Sequence, residues 1–168
     1  MGLYPADLEA QAAEIIAAYR DRGWMIALAE SCTGGLIAGA LTEIAGSSAV
    51  VDRGFVTYTN QAKMDLIGVS ATTLEVFGAV SKETALQMAH GALMRSGADV
   101  AVAVTGIAGP GGGSAEKPVG LVHLVLKTRS GIIDHREMRY GEIGRDEVRL
   151  QTVKTALEML AAAAQTPA

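Results

Sequence analysis

The segment 25–37 constrains the fold more than any other part of the sequence, because an apolar run stops there at a polar turn. Residues Met25 to Ala29 are apolar, and Glu30-Ser31-Cys32-Thr33-Gly34-Gly35 follows directly. Small residues at helical spacing continue from Leu36. The pattern predicts a buried strand, a tight turn and a helix N-terminus. Such a turn collects hydroxyls, a thiol, a carboxylate and free backbone N–H groups, which can hold an anion or activate a nucleophile.

The remainder of the chain predicts an α/β fold in which helices and strands occur in the order α-β-α-β-α-α-β-β-β-α. Helical spacing covers 7–22, 36–44, 60–67, 81–96 and 145–164, and strand patterns cover 24–29, 50–58, 99–105, 119–127 and 132–140. The last two strands flank Arg129-Ser130-Gly131, which predicts a hairpin. Residues 72–79 are interpreted as a connector. We predict a three-layer α/β/α arrangement with a mixed, partly antiparallel sheet.

Composition limits the classes of protein to which this chain can belong. Its 168 residues fit one domain spanning 1–168, with an aliphatic core because aromatic residues make up only 4%. The net charge of −4 argues against direct nucleic-acid binding, which needs a basic surface. The single Cys32 suits a reducing cytoplasm, and no apolar run approaches the length of about 20 residues that a membrane span needs. We expect a cytoplasmic protein without a membrane partner.

A second glycine-rich turn, Thr105 to Gly112, follows the buried strand 99–105. Ligands of open α/β sheets bind outside the carboxyl ends of strands, so both turns are expected to face one crevice. Successive N–H groups in such turns attract phosphate. Neither turn matches a P-loop or a dinucleotide fingerprint, and the second turn alone fits a flexible surface loop equally well.

Lys63 is a candidate general base because it lies just after a predicted strand and early in a helix. A surface lysine is usually solvated, but a partly buried lysine can lose its proton at neutral pH and activate a serine such as Ser31. His90, His123 and His135 are the alternative bases, and none of them lies at a junction between a strand and a loop. Three dispersed histidines and one cysteine do not favour a transition-metal site.

Several alternatives stay open around the first turn. Cys32 is a competing nucleophile, because a helix N-terminus activates a thiolate. Glu30 can orient the lysine or a substrate amide, or it can cap the helix that follows. Arg145 and Arg149 lie one helical turn apart and can pair with a phosphate or belong to a solvated helix face.

The chain resembles the C-terminal domain of the CinA family, whose members act as nicotinamide mononucleotide deamidases. The resemblance lies in segments that occur in the family's order: 29–35, 54–63, 78–81, 103–112, 117–120 and 145–149. It implies hydrolysis of the carboxamide of nicotinamide mononucleotide to nicotinate mononucleotide and ammonia, with no metal or organic cofactor. The family often has Gly-Asp-Arg before the last helix, whereas Gly144 precedes Arg145 here.

Carried over to this sequence, the resemblance implies a Ser/Lys amidase. Ser31 is then the nucleophile, Lys63 its base, and Tyr58 a further catalytic residue. The expected substrate contacts are Glu30, Thr33, Gly34, Gly35, Thr105, Gly106, Gly109 and Arg145. The tetrahedral oxyanion needs donors, for which the N–H groups of residues 33–35 or those of Gly106 and Ile107 are candidates.

Two other functional classes remain open. A noncatalytic nucleotide-binding module needs the same phosphate-cradling turn but has no need of Lys63. A partner-binding module tied to competence or to the damage response rests on the family name alone. For the enzyme and for the nucleotide-binding module the expected ligand is a small nucleotide. A homo-oligomer is expected, with a dimer favoured because symmetric dimers are the commonest assembly.

Overall fold

The structure is a computed structural model that describes residues 2–167. The helices are α1 (Ala6–Arg22), α2 (Leu36–Thr42), α3 (Asn60–Ile67), α4 (Ala71–Phe77), α5 (Lys82–Met94) and α6 (Arg145–Ala163). The strands are β1 (Ile26–Glu30), β2 (Val51–Val56), β3 (Val100–Gly106), β4 (Leu121–Thr128) and β5 (Ile133–Arg139). In residues 2–167, no helix is both long and apolar enough to cross a membrane.

The five strands form one sheet in the order β2-β1-β3-β4-β5. Strand β1 is parallel to both of its neighbours, whereas β3–β4 and β4–β5 are antiparallel. The sheet is therefore mixed and partly antiparallel, as the sequence predicts. Glu30 at the end of β1 lies beside Val56 of β2 and Val104 of β3, so the carboxyl ends of three parallel strands meet at one edge.

Helices cover both faces of the sheet, which confirms the predicted three layers. Side chains alternate along β1, so that Ile26 and Leu28 belong to the core beneath α1, α2 and α6, and Ala27 and Ala29 to the core beneath α5. The small alanines leave room for α5 to pack close to the sheet. Both core clusters consist mainly of aliphatic side chains.

The predicted connector 72–79 is wrong for most of its length, because residues 71–77 form helix α4. Its threonines and valine are weak helix formers, so local propensity gives little signal. The helix is stabilised instead by its cap and by its neighbour. Ser70 Oγ accepts the N–H of Thr73, and Gln87 of α5 donates to Thr73 Oγ1 over 2.8 Å.

Candidate active site

Ser31 lies at the centre of the sheet edge, immediately after β1. Its N–H donates to Val104 O over 3.2 Å, and its carbonyl accepts the N–H of Gly34 over 3.0 Å. The chain then turns into α2 through Gly35, whose φ of 103° is a conformation that favours glycine. The turn directs Ser31 into a cavity of about 180 Å³ outside the carboxyl ends of the strands.

Glu30 caps helix α2. Its two carboxylate oxygens accept the N–H groups of Ile37 and Ala38 over 2.9 and 3.0 Å. The side chain is 1% exposed and makes no ion pair with any of residues 2–167. Of the alternatives left by the sequence, the geometry therefore favours the helix cap, since both oxygens are occupied and neither contacts Lys63.

Lys63 reaches Ser31 from helix α3. Thr59 caps this helix by accepting the N–H of Ala62, which places Lys63 on the first turn facing the sheet edge. The side-chain nitrogen Nζ lies 2.9 Å from Ser31 Oγ and 2.8 Å from Thr57 O. It also lies 3.5 Å from Tyr58 O.

The surroundings of Lys63 favour its neutral form. The side chain is 1% exposed, and burial lowers the pKa of its amine from the ordinary value of 10.5. Within residues 2–167 no carboxylate lies close enough to pair with it. A neutral amine has two N–H donors and one lone pair, which match two backbone carbonyls and the hydroxyl proton of Ser31. This arrangement is that of a serine beside its base.

The cavity brings together residues from both glycine-rich turns and from the loops between them, as expected from the parallel strands. Its lining consists of Ser31, Cys32, Tyr58, Lys63, Ala79, Val80, Thr105, Gly106, Ala108 and Arg145. Five of the residues predicted to contact substrate are not part of the lining, namely Glu30, Thr33, Gly34, Gly35 and Gly109. The lining of the cavity therefore does not support these five residues as side-chain contacts to a substrate.

Arg145 connects the two loops at the mouth of the cavity. Its guanidinium donates to Tyr58 Oη over 2.8 Å and to Gly109 O over 2.9 Å. Tyr58 is 58% exposed, and its phenol group lies with Arg145 at the entrance of the cavity. Arg145 forms no ion pair within the described chain, which leaves its positive charge available to a ligand.

Thr105 and Gly106 shape the wall of the cavity. The Thr105 hydroxyl donates to Ala79 O over 2.8 Å and so holds the segment 78–81 against the sheet. A side chain at Gly106 would place Cβ 2.6 Å from Val122 Cγ2, so only glycine fits there. Sequence reasoning about individual side chains missed Ala79 and Val80, because small apolar residues carry no chemical signal. The segment 78–81, which contains both residues, is indicated only by the family resemblance.

Cys32 lies beside Ser31 but packs into the core. It is 6% exposed and belongs to the cluster beneath α1, α2 and α6. Burial raises the pKa of its thiol to about 11, so the thiol is protonated at neutral pH. The geometry favours Ser31 as the nucleophile.

The three histidines lie outside this cavity. His90 contacts Lys127, while His123 and His135 contact each other on β4 and β5 with Nδ1 and Nε2 3.0 Å apart. Between residues 2 and 167, no group of three or more His, Cys, Asp or Glu side chains is arranged to hold a metal ion.

In the turn after Ser31, the backbone N–H groups of Cys32, Thr33 and Gly35 have no hydrogen-bond partner within residues 2–167. The N–H groups of Gly34 and Ile107 donate to Ser31 O and Leu121 O, which removes two of the candidates that the sequence offers for an oxyanion. The N–H groups of Cys32 and Thr33 donate to no other atom of the described chain. They directly follow the nucleophile candidate, a position suited to donors for a tetrahedral oxyanion.

Comparison with known proteins points to one family. The family described as the CinA C-terminal domain matches residues 8–164. A protein of Enterobacter agglomerans named nicotinamide-nucleotide amidohydrolase PncC is 54% identical over 146 residues, which is 86% of this chain and 88% of that protein. A CinA-like protein of Geobacter sulfurreducens is 51% identical over 142 residues, so 84% of this chain corresponds to only 34% of that longer protein.

A solved structure supports the same assignment. The competence/damage inducible protein CihA from Agrobacterium tumefaciens superimposes with a TM-score of 0.97 at 70% sequence identity. The match covers 98% of this chain and 100% of that one. Together with the match over residues 8–164, this likeness shows that the chain belongs to the CinA C-terminal domain family.

Proposed function

We propose that this protein is a nicotinamide-nucleotide amidohydrolase that hydrolyses the carboxamide of nicotinamide mononucleotide with Ser31 as nucleophile and Lys63 as general base. The observation that carries the proposal is the distance of 2.9 Å between Ser31 Oγ and Nζ of Lys63, whose side chain is buried and has no carboxylate partner. The amidohydrolase named in Enterobacter agglomerans, 54% identical to this chain, supports the choice of substrate.

The proposed reaction proceeds in two steps, with Ser31, Lys63 and one water molecule as the reacting groups of the site. Lys63 accepts the hydroxyl proton while Ser31 Oγ attacks the carboxamide carbon, and the C=O bond opens to an oxyanion. The protonated lysine then gives its proton to the departing nitrogen, so ammonia leaves and an ester to Ser31 forms. Water adds to this ester with Lys63 again as base, which releases the nicotinate product and the free serine. The N–H groups of Cys32 and Thr33 are the proposed donors to the oxyanion.

The cavity also offers a place for each part of the nucleotide. Ala79, Val80 and Ala108 provide apolar contact for the pyridine ring beside Ser31. A second cavity of about 270 Å³ adjoins the first at Ala108 and Arg145, where a ribose and its phosphate can extend. The free charge of Arg145 makes it the proposed phosphate contact.

The test is an ammonia-release assay with nicotinamide mononucleotide on the wild type and three variants. We expect Ser31→Ala to lose essentially all activity, and Lys63→Met to lose about 10²–10⁴-fold in kcat, because the serine then lacks its base. Cys32→Ala is the matched control beside the nucleophile and is expected to retain activity within about tenfold, because its thiol only packs.

Each result separates the proposal from its alternatives. A Ser31→Ala protein that kept full activity would refute the serine mechanism, and loss of activity on Cys32→Ala alone would assign the role to the thiol. A wild type that binds the nucleotide calorimetrically but releases no ammonia would be the noncatalytic nucleotide-binding module instead.

The proposal also covers the cellular location, the domain organisation and the assembly of the protein. We place the protein in the cytoplasm, which suits a buried free thiol at Cys32. We expect residues 1–168 to behave as one domain and to assemble as a homo-oligomer, with a symmetric dimer favoured. Light scattering after size-exclusion chromatography measures the mass of the assembly, and a monomer at micromolar concentration would contradict the dimer.

A further inference from the structure

We infer that Arg149, which does not itself line the cavity, is a positioning residue that holds the turn after Ser31 in its reactive conformation. Its guanidinium crosses from α6 to that turn, 117 residues away in sequence. Arg149 Nε donates to Cys32 O over 3.0 Å, and Nη2 donates to Thr33 O over 3.4 Å. The inference rests on the proposed function, because the turn carries the proposed nucleophile and its oxyanion donors.

The contacts of Arg149 are directed at this turn. It forms no ion pair within residues 2–167, although its side chain is half-buried. Its hydrogen bonds run to two successive carbonyl oxygens. The fork of a guanidinium matches two such acceptors, whereas a single ammonium does not. An arginine in this position fixes the orientation of two peptide planes together.

The orientation of these peptide planes sets the direction of the N–H groups. In a planar trans peptide the C=O of one residue and the N–H of the next point in opposite directions. Holding Cys32 O toward α6 therefore turns the N–H of Thr33, which has no partner in the described chain, away from α6. Holding Thr33 O in the same way turns the N–H of Gly34 to its bond with Ser31 O. Arg149 thus constrains both the nucleophile residue and a proposed oxyanion donor.

The phosphate role that the sequence leaves open for Arg149 is less consistent with this geometry. Arg149 lines neither the cavity of Ser31 nor the adjoining cavity, whereas Arg145 lines both. Its Nε and Nη2 are already bonded to the turn. The two roles make opposite predictions about substrates, because only phosphate binding depends on a phosphate.

The experiment compares Arg149→Met and Arg149→Lys with the wild type, using nicotinamide mononucleotide and nicotinamide riboside, which lacks the phosphate. We expect Arg149→Met to lower kcat by about 10²-fold for both substrates, since misplaced groups cost about this much. We expect KM to stay within about threefold, because no substrate contact is removed. Arg149→Lys is expected to recover part of kcat, since one ammonium can bond one of the carbonyls.

The matched control is Lys154→Met, which removes an exposed cation from the same helix without touching the turn. We expect wild-type kinetics from it.

The pH at which kcat reaches half its maximum is expected to be unchanged in Arg149→Lys, because the contacts of Lys63 remain. Thermal unfolding of each variant reports whether the fold persists, and if Arg149→Met does not fold, Arg149→Lys decides the question.

Each contrary outcome has its own meaning. An increase in KM confined to the phosphorylated substrate would show that Arg149 binds phosphate, and unchanged kcat in the folded Arg149 variants would overturn the positioning role. An equal loss in Lys154→Met would assign the effect to net charge. A wild type without activity on either substrate would refute the proposed function itself, which is a different failure from that of the inference.

Discussion

Lys63 is the residue whose environment matters most to the proposed chemistry. A lysine in solution is almost fully protonated at neutral pH and cannot accept a proton. Burial of the side chain, without a carboxylate partner, disfavours the charged ammonium and lowers the pKa of Lys63. The same burial brings the amine to Ser31 Oγ, so a single structural feature accounts for both its position and its reactivity.

The pH dependence of the reaction follows from the direction of this shift. The base acts in its neutral form, so kcat/KM is expected to rise with pH as Lys63 loses its proton and to level off below its ordinary pKa of 10.5. Steady-state kinetics between about pH 5 and pH 10 measure the profile. A limb that rises only near the ordinary lysine value would contradict a neutral amine in the resting enzyme.

At the scale of elements, the site is built where three strands end and two helices begin. Strand β1 leads directly into Ser31, α3 carries Lys63, and the end of β3 carries Thr105 and Gly106. Glu30 joins two of these parts, since it ends β1 and caps α2 through two N–H groups. A charged carboxylate at a helix N-terminus is favourable there because it bonds free donors and opposes the positive end of the dipole.

Replacement of Glu30 is therefore expected to affect both stability and activity. In Glu30→Gln, an NH₂ group replaces one of the two carboxylate oxygens that accept backbone N–H groups in the wild type. The NH₂ group then faces the N–H of Ile37 or Ala38, and two buried donors lie opposite each other without an acceptor. We expect a loss of about 1–3 kcal/mol in the free energy of unfolding and a lower kcat, because Ser31 is the next residue.

Urea denaturation and the ammonia assay measure the two effects. Glu43→Gln makes the same chemical change at an exposed position after α2 and serves as the control. If Glu30→Gln had the same free energy of unfolding as Glu43→Gln, the cap on α2 would make no specific contribution to stability.

The link that Arg145 makes between two loops leads to a prediction about the substrate. Arg145→Met removes the proposed phosphate contact and the bonds to Tyr58 Oη and Gly109 O. We expect KM for nicotinamide mononucleotide to rise by about 10–100-fold, as the loss of a charge-assisted contact implies.

The phosphate-free nicotinamide riboside distinguishes this role from a structural one. Its KM is expected to change little in Arg145→Met. Arg139→Met, at an exposed arginine outside the cavity, is the control for net charge. Equal effects of Arg145→Met on the two substrates would contradict a phosphate contact.

At the scale of the whole molecule, helices α1 and α6 pack together on the sheet face that carries the larger core cluster. Tyr19 of α1 is fully buried, its ring packs edge-on against Trp24, and its hydroxyl donates to Leu160 O of α6 over 2.9 Å. Burial raises the pKa of this phenol, which keeps the hydroxyl as a donor. The bond joins two helices that lie far apart in sequence.

Tyr19→Phe tests this link without changing the shape of the core. We expect a loss of about 1 kcal/mol, or roughly 2–4 °C in Tm, with deamidase activity retained because the site is remote. Tyr4→Phe removes an equivalent bond to Leu36 O from a half-buried tyrosine and is expected to cost less. Calorimetry measures both values, and an unchanged Tm in Tyr19→Phe would show that the buried bond makes no net contribution.

Patterns in the sequence predict helices, strands and turns correctly where the local signal is strong. The apolar run before Glu30, the small residues after Gly35 and the hairpin at residues 129–131 predict their elements because periodicity and turn residues act over a few positions. Helix α4 was missed because its cap at Ser70 and its contact with α5 decide a segment of weak propensity. The wall residues Ala79 and Val80 carry no chemical signal of their own, and the fold alone makes them part of the cavity.

By itself, the sequence determined the strand–turn–helix around Ser31, the mixed α/β architecture and the family to which the chain belongs. Only the tertiary structure decided that Lys63 is buried beside Ser31, that Cys32 packs into the core and that Glu30 caps α2. The physical reason is the range of the interactions. Periodicity and turn chemistry depend on neighbours along the chain, whereas burial and hydrogen-bond partners depend on segments that only folding brings together.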